Sequence, residues 1–140
     1  MVLKLQSLLF IGLFSLTSAL GVCATEQDVT LDDKDGQPDI EIWLSEGVGR
    51  YGNKEFGVSG GRPEFPSPTG AFQIEWKSRL WWSKQWQAPM PYAMFFHNGA
   101  AIHVGSLDSH SHGCVRVSED TAKWLFRVTR EGETRVFVYP

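Results

Sequence analysis

Cysteine is almost missing from this chain: there are two in 140 residues, Cys23 and Cys114. A fold stapled by several disulfides is therefore excluded. Long apolar runs are missing as well. The longest mostly apolar stretch, Leu8 to Leu20, has thirteen residues, short of the roughly 20 that a membrane-spanning helix needs. No sign of charge dominates, since 13 Lys and Arg stand against 16 Asp and Glu for a formal net charge of −3. That balance speaks against a sequence-independent grip on nucleic acid. Internal repeats, low-complexity blocks and heptads are likewise absent.

What is present begins with an export signal. Lys4 supplies a positive start, Leu8 to Leu20 the apolar segment, and Val22-Cys23-Ala24 a small-residue cleavage site, so residues 1–24 are expected to be removed and the mature chain to start at Thr25. In Leu20-Gly21-Val22-Cys23 a valine stands where a lipid-modified cysteine wants a small residue just before it, so a lipid anchor is not expected. An exported protein of the periplasm or cell envelope with no stable membrane anchor follows. Cys114 then becomes the only mature thiol: buried filler, an intermolecular bridge, or a nucleophile.

Residues 25–38, with Asp32-Asp33-Lys34-Asp35-Gly36, form an acidic lead-in that offers little to a core. Residues 39–140 carry the domain. Ile40, Ile42 and Leu44 alternate with Asp39, Glu41 and Trp43, Tyr51 to Lys54 reads as a turn, and Glu55 to Ser59 is extended. Gly60 to Pro68 holds three prolines and two glycines in nine residues and is a loop. Ala71 to Trp76, Ala100 to Val104 and Arg135 to Tyr139 are strand-like. One helix is expected: Ser118 is a suitable N-cap, Glu119 and Asp120 suit the first turn, and Ala122, Leu125, Phe126 and Thr129 recur at helical spacing until Gly132. Many short strands with one helix near the C-terminus predict a mainly β, sandwich-like domain.

All four histidines and Cys114 lie between His97 and Arg116. A cysteine nucleophile needs a base, backbone N–H groups for the oxyanion, and a group that orients the base. Ser111-His112-Gly113-Cys114 supplies such pieces, with Gly113 permitting a tight turn beside the sulfur. His110-x-His112-x-Cys114 with His103 has the atoms for zinc but lacks a standard site spacing, and no metal is expected. Trp76, Trp81, Trp82 and Trp86, interleaved with Lys77, Arg79 and Lys84, either cap the core or cover a cleft and stack on sugar or peptide.

Ser111-His112-Gly113-Cys114-Val115-Arg116-Val117 resembles the signature of the YkuD-type L,D-transpeptidases, bacterial cell-wall enzymes. Pro68 to Ile74 resembles that family's strand entry, Ala88 to Met94 its Met-Pro-Tyr segment, Ala101-Ile102-His103 the strand that ends in its histidine, and Ala122 to Gly132 its closing helix. The resemblance covers residues 39–140 and implies the family's catalytic-domain β-sandwich and a peptidoglycan stem peptide as partner. It implies Cys114 as nucleophile, attacking the carbonyl at diaminopimelate and expelling D-alanine before transfer to an amine. His103 would be the base and acid, the carbonyl of Val104 its orienter, Ser111, His112 and Gly113 the oxyanion-side loop, and Arg116 a partner for a substrate carboxylate. No cofactor is implied.

Seven residues separate His103 from Ser111, fewer than the family usually has, whereas thirteen separate His97 from Ser111. His103 is preferred because Ile-His-x-Gly at a strand end fits the family's context, while His97-Asn98-Gly99 reads as a hairpin turn. His110 is expected to be a loop residue. A carboxypeptidase or crosslink-cleaving hydrolase would use the same pair with water, and a non-catalytic wall-binding module would use neither. The acceptor and the oligomeric state are not legible.

Overall fold

The computed structural model describes residues 36–140. The expected export signal, residues 1–24, and most of the acidic lead-in lie outside them. In chain order the elements are β1 (Ile40–Trp43), β2 (Val48–Tyr51), β3 (Lys54–Gly57), β4 (Gly70–Gln73), β5 (Trp76–Ser83), β6 (Ala88–His97), β7 (Ala100–Val104), β8 (Val115–Val117), α1 (Glu119–Val128) and β9 (Arg135–Tyr139). They build two sheets, ordered β3-β2-β1-β9-β4 and β5-β6-β7-β8. The fold is therefore the mainly β, two-sheet domain with one short helix that the strand pattern predicts.

The principal core joins the sheets and the helix. Ile40 and Ile42 of β1, Val136 and Val138 of β9, Met94 and Phe96 of β6, Ile102 of β7, Val115 and Val117 of β8, and Ala122 and Leu125 of α1 form one buried cluster. Apolar residues alternating along strands and spaced by three on the helix put all of them on one side of their elements. Ser118 caps the helix by accepting a hydrogen bond from the Thr121 N–H, as its sequence position predicts. The helix stops at Val128, four residues before Gly132, because Thr129 leaves helical conformation as C-cap while its N–H still donates to the Leu125 carbonyl.

Three segments depart from the sequence pattern. Ala71 to Trp76 reads as one strand, yet the chain changes sheet at Ile74-Glu75. There the Ile74 N–H donates to Thr134 and its carbonyl accepts from Gly132, whereas the Glu75 N–H already donates to Phe95 of the other sheet. The tryptophan-rich stretch is itself a strand, β5. Ala88 to His97 is a ten-residue strand despite Pro89 and Pro91. Its pairing with β7 begins only at Met94, so the half that carries the prolines is paired with β5 alone, where a missing N–H is tolerated.

In that half, Tyr92 has φ +52°, a conformation that costs a bulky residue about 1–3 kcal/mol. The β5–β6 pairing is interrupted at the same level, between Ser78↔Ala93 and Leu80↔Pro91. The kink re-aims β6. Below it Ala93 and Phe95 face away from the principal core; above it Met90 joins them in a second, smaller cluster with Ala101.

Candidate active site

Cys114 packs against that second cluster, on the face of the β5-β6-β7-β8 sheet opposite the principal core. The parallel pairing of β7 with β8 sets the geometry: His103 is level with Arg116, and Ile102 with Val115. Side chains two apart on a strand share a face, so Arg116 and Cys114 on one chain segment stand beside His103 and Ala101 on the other. Cys114, His103 and Arg116 line one cavity of about 280 Å³, together with Ser111, His112 and Gly105.

His103 is 8% exposed, and its Nδ1 lies 2.7 Å from the Val104 carbonyl oxygen. A carbonyl only accepts, so Nδ1 carries the proton and Nε2 keeps its lone pair. Burial, reinforced by the charge of Arg116 and opposed by the Val104 hydrogen bond, pushes the imidazole down to about 4. It is neutral at pH 7. Burial also raises the Cys114 thiol above its ordinary range, against the lowering pull of an Ala101 backbone hydrogen bond and of Arg116. Within the shared cavity Cys114 is thus held as a neutral thiol and His103 as a neutral imidazole.

Two hydroxyls hold the carbonyl of Cys114. Ser111 Oγ donates to it while accepting from the Gly113 N–H at 3.0 Å; Ser67 Oγ donates at 3.3 Å while accepting from the Gly61 N–H at 2.9 Å. Gly113 supports the loop from within, its N–H being committed to Ser111. Its φ of +114° suits glycine alone. At Gly61 a methyl group would stand 2.0 Å from the Phe65 carbonyl and 3.0 Å from Gly113 Cα, so the proline-rich loop and the cysteine loop touch through bare backbone. Ser67 was not legible as a site residue, since Pro66-Ser67-Pro68 carries only a loop signal.

The short loop between His103 and Ser111 is tied down. Arg116 Nη1 donates to the Ser109 carbonyl at 3.1 Å, to Ser109 Oγ at 3.0 Å and to the His110 carbonyl at 3.3 Å, and Ser59 Oγ donates to Ser109 at 2.9 Å. His110 is an exposed member of this loop. One arm of the Arg116 fork therefore serves the protein itself.

Cys114 also lines a second cavity, of about 470 Å³, walled by Trp76, Trp81, Trp86, Phe95 and Phe65. Between the two cavities Trp86 stacks on His112, centroids 3.9 Å apart and planes 15° from parallel. Phe65 meets both rings edge-on. Desolvation under these rings, then the charges of Arg62 and Arg116, hold His112 below the ordinary imidazole range. His97 lines the aromatic cavity. It is the last residue of β6 rather than part of the turn, which is Asn98-Gly99 with φ +44° and +83°, and its Nε2 lies 3.0 Å from Asn98 Nδ2. Among the described residues no three His, Cys, Asp or Glu side chains are grouped to hold a metal, and no helix is long and apolar enough to cross a membrane.

The YkuD family of L,D-transpeptidase catalytic domains matches residues 37–138, and the chain belongs to that family. Solved structures share the fold. An L,D-transpeptidase from Stackebrandtia nassauensis is 24% identical with a TM-score of 0.63, over 72% of this chain and 54% of that one. One from Mycobacterium tuberculosis H37Rv is 22% identical with a TM-score of 0.66, over 74% and 58%. One from Xylanimonas cellulosilytica is 24% identical with a TM-score of 0.60, over 71% and 59%. The chain thus spans little more than half the length of these proteins. Among curated proteins none matches it.

Proposed function

We propose that this protein is a cysteine acyltransferase that acts on peptidoglycan stem peptides in the bacterial envelope, delivered there by removal of residues 1–24 and acting through residues 39–140. The observation that carries the reading is the shared cavity of Cys114, His103 and Arg116, in which His103 presents an unprotonated Nε2 because the Val104 carbonyl holds Nδ1–H. Such a nitrogen is a competent general base at neutral pH.

The neutral resting pair sets the order of events. As Cys114 sulfur bonds to the carbonyl carbon of the third stem residue, its proton passes to His103 Nε2. The tetrahedral oxyanion is held by the backbone N–H of Cys114, the Gly113 N–H being committed to Ser111, and Ser111 and Ser67 fix the shape of the loop by gripping the Cys114 carbonyl. Collapse breaks the C–N bond to D-alanine, and the imidazolium returns the proton to the leaving amine. An acceptor amine then attacks the thioester, the C–S bond breaks, and the sulfur recovers its proton through His103. The Arg116 guanidinium, with Nη1 on the loop, offers its remaining N–H groups to the carboxylate of the departing D-alanine.

Mass analysis after incubating the protein with a disaccharide-tetrapeptide tests this. An acyl-enzyme on Cys114 and a crosslinked dimer are expected; tripeptide alone would assign water as acceptor, and no adduct on Cys114 would overturn the reading.

A further inference from the structure

The aromatic cavity contains a prebuilt platform that the acyl-transfer chemistry does not use. Trp76 lies flat on Phe95, with centroids 3.7 Å apart and planes 10° from parallel. Phe95 is buried and fixed, whereas Trp76 is 37% exposed, so one face of the indole is anchored and the other is presented. Trp81 stands upright beside it, 75° from Trp76 at 5.1 Å and 82° from Phe95 at 5.9 Å. The two rings make a corner with a floor and a wall.

The corner exists because of the kink. Trp76 and Trp81 are five apart on β5, and strict alternation would place them on opposite faces of the sheet. The interruption at Tyr92 returns both to the face that carries Phe95, Met90 and Cys114. Backbone strain that brings two half-exposed tryptophans onto the nucleophile's face is the kind found where a ligand is held. Neither indole N–H has a partner within the described protein, and Lys84, Gln85 and Asn98 rim the same cavity with further hydrogen-bonding groups.

A flat apolar face ringed by hydrogen-bonding groups fits a pyranose, whose C–H face stacks on indole while its hydroxyls and amide meet the rim. We propose that Trp76 and Trp81 form a saccharide subsite that takes one amino-sugar ring of the peptidoglycan glycan strand, while the stem peptide that this sugar carries reaches Cys114. The geometry of the substrate agrees: three stem residues separate the sugar from the acylated carbonyl, and three extended residues span about 10 Å, within the reach of one continuous cleft. The subsite rests on the acyl-transfer reading but is separable from it, because sugar binding needs no thiol.

The test uses the mature protein and three probes: a peptide-free β-1,4-linked N-acetylglucosamine tetramer, a sugar-free tetrapeptide, and the disaccharide-tetrapeptide. In two-dimensional NMR the tetramer is expected to shift the indole N–H signals of Trp76 and Trp81 and leave that of Trp124 in place, and Trp76→Ala to abolish the shift. The kcat/KM for the disaccharide-tetrapeptide is expected to exceed that for the free tetrapeptide by about tenfold, with Trp76→Ala erasing the difference and Trp76→Phe retaining part of it. Turnover of the free tetrapeptide should be the same in all three proteins, which also shows that the variants fold. Absence of any shift with the tetramer, or Trp76 and Trp81 shifts produced by the free tetrapeptide instead, overturns the saccharide subsite. If neither peptide substrate acylates Cys114 while the tetramer still moves Trp76 and Trp81, the subsite stands and the acyl-transfer reading falls.

Discussion

Trp86 lies flat on His112, ring against ring at 3.9 Å, so the turn between β5 and β6 rests on the residue two before Cys114. Each ring lines both cavities that reach the sulfur. Removing the indole should merge the openings. Trp86→Ala is expected to speed alkylation of Cys114 by a bulky maleimide severalfold at fixed pH while lowering turnover of the stem peptide, because exposure rises as positioning is lost. Equal or slower alkylation would show that the stack does not shield the thiol.

The pair of Cys114 and His103 should behave as a unit. Cys114→Ser is expected to abolish acyl-enzyme, since an alkoxide is far harder to form than a thiolate beside the same imidazole. His103→Ala should lower kcat by about 10²- to 10⁴-fold, and the double variant should be no worse than Cys114→Ser alone. His97→Ala should cost little, because that ring is held by Asn98 and packs on Phe72. Single-turnover kinetics decide it: an inactive His97→Ala beside an active His103→Ala would exchange the two assignments.

How far the chain itself announced this arrangement differs from residue to residue. Ile40, Ile42, Val136 and Val138 alternate and are buried as alternation demands, and Ser118 caps the helix that its spacing foretells. His103, Gly113, Cys114 and Arg116 lie within fourteen residues of one another, so their grouping is visible in one line of sequence. The groups that support them come from elsewhere. Ser67 reaches Cys114 across 47 residues, and the Gly61–Gly113 approach depends on how two loops meet. No periodicity encodes such contacts. The exchange of sheets at Ile74-Glu75 was hidden for the same reason, since the partners that enforce it, Gly132 and Thr134, belong to the last loop of the chain.

Ser111 and Ser67 grip one carbonyl with different strength, and their removal should grade accordingly. Ser111 is buried, accepts from Gly113 and donates to Cys114, so Ser111→Ala strands the Gly113 N–H and leaves the Cys114 carbonyl on the longer Ser67 bond alone. It should cost about 1–3 kcal/mol of stability and lower turnover beyond that loss, through a relaxed oxyanion loop. Ser67 makes the longer bond to Cys114, and Ser67→Ala should do less of both. Urea denaturation alongside kcat/KM would check the order; the reverse ranking would show that the proline-rich loop, not Ser111, fixes the cysteine.

Acid should act on stability well before it acts on the chemistry. His103 titrates at about 4 in the folded protein and near 6.5 once unfolded. Between those values the unfolded chain binds the proton and the folded one does not, so stability is full above pH 6.5 and falls as pH drops toward 4. The shift corresponds to about 3 kcal/mol for this buried group. His103→Asn supplies the control, because its amide can donate to the Val104 carbonyl without a titrating nitrogen; its stability should decline less over the same interval. The kcat/KM of the native enzyme should keep its plateau through pH 6 and lose its base only near 4, since the free enzyme holds His103 neutral until then. On the alkaline side the raised Cys114 thiol should make alkylation climb past the pH at which a free cysteine levels off. An acid limb near 6.5, with stability indifferent to His103→Asn, would mean that the imidazole is solvated and that the neutral resting pair does not exist.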